Sequence, residues 1–173
     1  MGLLWMALLL AFSSCNQFQR LDKRSKLIAA SKEGVIRGVN FDISPDSVKK
    51  LETLTPDIDQ DGFLSYSLIP KDFPSDTLKV DYMFNRDNQL DIIAIDYKTN
   101  NQEGIKEITE NLRDFFQKRY GEGRQDELGW NTWDFKDTTT AIPGTIEIVL
   151  LIENDPDYQG VKLELVKYFE DEQ

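Results

Sequence analysis

The chain has 173 residues, with 31 acidic side chains against 20 basic ones and a net charge of −11, so its bulk is repelled by nucleic acid and by anionic membrane surfaces. A hydrophobic content of 40% with 11% aromatics marks a packed globule rather than a disordered chain. The absence of histidine and the single cysteine remove the usual general base, the Ser-His and Cys-His pairs, the commonest zinc ligand and any disulfide within the chain.

Met1 to Cys15 comes first. An apolar run from Leu3 to Phe12 leads into Ser13, Ser14 and then the only cysteine. The run covers about half of the ~20 residues that a membrane-crossing helix needs, and a short apolar core before small residues is the pattern of a cleaved export signal. The ending resembles the lipobox of bacterial lipoproteins, with Phe12 where that family usually has leucine and no Lys or Arg before the run. The resemblance implies cleavage before Cys15, which then carries lipid on its sulfur and its amine. Each buried methylene adds ~0.8 kcal/mol, and several chains on one residue meet the requirement for stable anchoring. Asn16 in place of aspartate implies delivery to the outer membrane. A buried structural cysteine behind an ordinary hydrophobic segment is the alternative.

Residues 16–34 read as a tether, polar and partly helical, before a single domain over 35–173. Residues 16–40 carry six basic side chains against Asp22 and Glu33. Beside a lipidated cysteine such a segment rests on anionic headgroups or serves as a solvated linker. Val35 to Ile43 has the β-branched content of an edge strand. Ser44-Pro45-Asp46 signals a helix start, with Val48, Leu51 and Leu54 on one face and Pro56 closing it. Strands are expected at Phe63–Ile69, Leu78–Phe84 and Leu90–Tyr97, the last two joined by the polar turn Asn85–Asn88.

The clearest element is a helix over Gln102–Tyr120. Ile105, Ile108, Leu112, Phe115, Phe116 and Tyr120 recur at three-and-four spacing, Asn100 with Glu103 resembles a capping box, and Gly121 supplies the stop. Strands at Trp130–Phe135, Thr145–Ile152 and Val161–Phe169 follow. The order helix, three strands, helix, three strands predicts an α+β fold, an antiparallel sheet with helices on one face, and suggests a pseudo-repeat of two αβββ halves.

Asp57-Ile-Asp59-Gln-Asp61-Gly62-Phe63-Leu64-Ser65 resembles the calcium loop of EF-hands. Asp57, Asp59 and Asp61 offer hard oxygens, Phe63 a carbonyl, and Ser65 a water-mediated ligand. Leu68 stands where that family has its bidentate glutamate, and Pro70 and Pro74 exclude an exiting helix. Weak calcium binding and a plain Asx-rich turn both fit. Trp130 and Trp133 fall on opposite faces of a regular strand, so one is core and the other is available to a sugar or a protein partner. Carboxylates alone run glycoside hydrolysis, but with 31 acids any pair can be picked. No catalytic residue is assigned and no cofactor is expected beyond weak calcium.

Gly38–Phe41, Ser44 with Val48–Glu52, Leu64–Ser67, Tyr82–Asn85 and Lys118–Gly121 together resemble short segments of small lipoproteins of the Gram-negative envelope, a family that implies no particular activity. The arrangement is also similar to the helix-plus-sheet modules of envelope assembly lipoproteins and of β-lactamase-inhibitor-like proteins, which act by binding proteins. With the lipobox, these likenesses make a lipid-anchored periplasmic binding or assembly module without enzymatic activity the leading expectation, and the acidic charge leaves no place for a nucleic-acid partner. A calcium-dependent adhesion or carbohydrate-binding module is the alternative.

Overall fold

The computed structural model describes residues 21–29, 31, 33–137, 143–155 and 158–169, so Trp5 and the lipobox residues through Cys15 lie outside the described residues. Among the described residues, eight strands form one antiparallel sheet in the order β1-β2-β3-β4-β8-β7-β6-β5. They are β1 (Ile58–Gln60), β2 (Phe63–Leu68), β3 (Thr77–Phe84), β4 (Leu90–Lys98), β5 (Arg124–Gln125), β6 (Asn131–Asp137), β7 (Gly144–Asp155) and β8 (Tyr158–Phe169). Three helices accompany them among the described residues: α1 (Lys23–Ala29), α2 (Pro45–Leu51) and α3 (Gln102–Tyr120).

The α+β expectation holds, and the suspected repeat takes a definite form. Each half is a helix followed by a four-stranded meander, β1 to β4 after α2 and β5 to β8 after α3. The outermost strand of each meander, β1 or β5, is the one that sequence reading missed, because two or three residues leave no periodicity to detect. The halves join along the β4–β8 ladder, where Ile93 faces Leu165 and Ile95 faces Leu163.

Burial alternates along the long strands with the period-two pattern of a sheet covered on one side. On β3, Leu78, Val80, Tyr82 and Phe84 are buried, while Lys79, Asp81 and Met83 point the other way. The same buried face continues through Ile93, Ile95 and Tyr97 on β4, Val161, Leu163 and Leu165 on β8, and Ile146, Ile148 and Leu150 on β7. Helix α3 lays Ile105, Ile108, Leu112, Phe115 and Phe116 on that face. Each such fully buried side chain is worth about 1.5–3 kcal/mol. Phe116 meets Trp133 with ring centroids 5.4 Å apart, and Tyr120 stacks on Phe135 at 3.9 Å.

Four local readings are corrected. The described part of the expected tether over 16–34 enters the core: Asp22 accepts from the backbone N–H groups of Arg24 and Ser25 to start α1, and Leu21, Ile28 and Ala29 are buried. Val35–Ile43 is not an edge strand. Arg37 (φ 54°) and Gly38 (φ 77°) fold it back, leaving only an Ile36–Val39 bridge. That fold-back buries Val35, Ile36, Val39 and Phe41 together, which alternation in a strand with one covered face would not allow. Helix α2 stops at Leu51, well before Pro56, because Glu52 is drawn out into extended backbone (φ −73°, ψ 138°) toward Arg37. The cap of α3 is Asn101, whose side chain accepts from the Gly104 N–H, rather than Asn100 with Glu103.

Candidate functional site

All three helices pack on the same side of the sheet, and strand register defines what the other side presents. One row runs Phe63, Met83, Ile92, Val166, Glu147 and Asp134 across six strands. The next runs Ser65, Asp81, Ala94, Glu164, Val149 and Thr132. Apolar side chains therefore occupy the middle of the face, with acids among them. Most of these residues are half-buried by their neighbours, and no other described element covers them. Lys79 bridges to Asp81 at 2.7 Å and Ser65 donates to Asp81 at 2.6 Å, which fixes one carboxylate in the middle of the face. Lys162 is held by Glu153 at 2.7 Å in the same way. Exposed ion pairs of this kind add only about 0–1 kcal/mol, so their effect here is to order the surface rather than to stabilise the fold.

The two tryptophans separate as the strand alternation requires. Trp133 is buried on the helix side at 2% exposure, whereas Trp130 precedes β6 and is 41% exposed. The Asp126–Gly129 turn holds Trp130 in place, because its N–H donates to the Asp126 carboxylate at 2.9 Å. Alternation sets Trp130 on the side of Thr132 and Asp134, at the margin of the open face. Only one of the two is therefore available to a partner.

The Asp57–Ser65 segment, the candidate calcium loop, is a β-hairpin. Ile58 pairs with Ser65 and Gln60 with Phe63, so the turn is the two-residue Asp61-Gly62, with Gly62 at φ 74°. The same Asp-Gly chemistry serves tight hairpins and EF-hand loops. In the hairpin the acids are spread along an extended strand instead of curling around one point. Asp59 is bonded to Lys49 at 2.9 Å, and Ser65 turns to Asp81. Among the described residues no group of three or more acidic or thiol side chains converges as a metal site. Asp59 on this short edge strand also discourages pairing with another chain.

Three ion clusters lie beneath the helices. Arg37 makes a two-pronged contact with Glu52 at 2.7 and 2.8 Å, gives a further N–H to the Leu27 carbonyl at 2.5 Å, and Tyr82 also donates to Glu52. Lys167, fully buried, bridges Asp42 at 2.5 Å and Asp137 at 3.1 Å. Asp76 accepts from Thr99 at 2.6 Å and from Arg24 and Tyr97, each at 2.8 Å. Sequence reading missed all three, since each partner lies far away in the chain. Each cluster ties a segment outside the sheet to a strand or to the residue just after one.

Burial pushes the Asp76 carboxyl upward, but hydrogen bonds from Thr99, Arg24 and Tyr97 outweigh it and leave its pKa below the usual value. A depressed carboxylate adds stability above its unfolded pKa of ~3.9 and loses it as pH falls through the folded value. The urea midpoint is therefore expected to drop as pH falls below about 4. Asp76→Asn should be less stable at pH 7 and flatter over that acid range. A variant with the wild-type acid profile would remove Asp76 as the cause.

No protein-family model matches the chain, and neither a curated protein nor a solved structure is significantly similar to it. The class therefore rests on the molecule itself: an α+β domain of two helix-plus-meander halves sharing one sheet, with one face of that sheet uncovered by the described residues.

Proposed function

We propose that the protein is a lipid-anchored module of the cell envelope, held at the periplasmic side of the outer membrane through Cys15, which binds a protein partner on the open face of its sheet and carries out no catalysis. The observation that supports this best is the uncovered face, with Met83, Ile92, Val166 and Val149 near its middle and ordered charges around them. A protein interface typically combines an apolar centre with a polar, satisfied rim. The exposed Trp130 at the margin adds the kind of side chain that dominates binding energy. Among the described residues no helix is long and apolar enough to cross a membrane, so the anchoring part of the reading rests on the lipobox resemblance.

Two variants separate the parts of this reading. Cys15→Ala is expected to move the protein out of the lipidated membrane pool; continued membrane partition without lipid would contradict the anchor. Met83→Arg with Val149→Arg is expected to melt within a few degrees of wild type, because both side chains lie on the uncovered side, yet to lose the partner recovered from crosslinked envelopes. Undiminished recovery would contradict the face as the binding surface.

A further inference from the structure

We infer that one end of the domain docks on anionic phospholipid headgroups, with the loop between β2 and β3 as the point of contact. A cleft of about 460 Å³ opens there between α1 and this loop, and its walls include Leu27, Leu68, Pro70 and Phe73. Lys23, Lys26 and Lys71 stand around it. Lys23 is tied to Asp72 at 2.8 Å, while Lys26 and Lys71 make no ion pair among the described residues. Ile69, next to the cleft in the same loop, is 64% exposed. An exposed isoleucine beside unpaired lysines suits the boundary of a bilayer, where apolar groups enter and ammonium groups stay with the phosphates.

Two further facts select an anionic bilayer as the occupant. The chain carries a net charge of −11, so such a surface attracts this end and repels the rest, which orients the domain. Cys15 lies close in sequence to Leu21, the first described residue, and the intervening chain spans at most about 21 Å when extended. This inference rests on the proposed lipid anchor, which brings α1 to the bilayer and leaves the cleft within reach of headgroups.

The test uses the full chain, processed and lipidated, in vesicles of phosphatidylcholine with or without phosphatidylglycerol. With the Cys15 thiol blocked by lipid, a single introduced cysteine takes an environment-sensitive dye at Ile69→Cys, or at Asp87→Cys in the turn at the other end of β3. Flotation with vesicles reports the anchor, and quenching by a headgroup nitroxide reports docking. On phosphatidylglycerol vesicles the dye at position 69 should be quenched severalfold more than the dye at 87. Lys26→Glu with Lys71→Glu should abolish that difference while the protein still floats. Floating protein quenched equally at both positions overturns the docking, as does quenching at 69 that ignores the charge reversal. Equal quenching at 69 on neutral vesicles overturns the anionic assignment. Protein that fails to float overturns the anchor, and this inference with it.

Discussion

Arg37→Met is expected to destabilise the domain by about 3–5 kcal/mol, a large share of the roughly 5–15 kcal/mol that holds an ordinary domain together. The Arg37 and Glu52 side chains are only 5% and 3% exposed, and Arg37 contributes two of the donors that Glu52 receives. Removing the guanidinium leaves a carboxylate in the core with Tyr82 as its remaining side-chain donor. It also frees the end of α1, because Arg37 binds the Leu27 carbonyl there. Adding Glu52→Met should recover at least half of the loss, since a buried pair exchanged for apolar groups of similar size is often close to neutral. Urea unfolding of the two single variants and the double variant measures this directly. Additive losses would mean that the two residues act independently, contrary to the geometry.

Gly160→Ala should cost about 2–3 kcal/mol, by overpacking at the seam between the halves. A β-carbon at Gly160 would collide with the Tyr97 carbonyl oxygen and approach the Lys98 Cα to 3.1 Å. Both are backbone atoms of β4 and cannot rotate away. Among the described residues the β4–β8 ladder is the only strand pairing between the halves, so strain there is felt by the whole sheet. Gly104→Ala is the useful contrast. Its β-carbon would meet Arg24 and Asn101 at 3.4 Å, an ordinary contact, and alanine is favoured over glycine in a helix by up to about 1 kcal/mol. Thermal melts of the two variants should move in opposite directions, or at least differ by several degrees. Equal melting temperatures would contradict the packing at the seam.

Features governed by local periodicity were legible in the sequence. The face of α3 agrees residue for residue from Ile105 to Phe116, and β3, β4, β7 and β8 lie where alternation predicts them. Segments whose structure depends on distant partners were not. Helix α1 is short, and it and the preceding Leu21 bury apolar side chains only because the rest of the core receives them, so residues 16–34 read as a tether. Val35 to Ile43 has strand composition, yet Arg37 takes a left-handed backbone conformation and reaches Glu52 instead. The Asp57–Ser65 stretch stayed open between a metal loop and a plain turn, because its composition suits both, and only the pairing with β2 makes it a hairpin. The open face was half legible: alternation separates the two faces of each strand, but no single strand shows which face the helices cover.

The most direct test of a partner-binding open face is site-specific photocrosslinking in intact cells. A photoreactive residue at Ile92 or at Val149, both half-buried on the uncovered side, is expected to give the same heavier adduct from the membrane fraction. The same residue at Glu110, exposed on α3, should give none. An adduct from Glu110 alone, or silence from both face positions in protein that remains in the membrane fraction, would contradict the account.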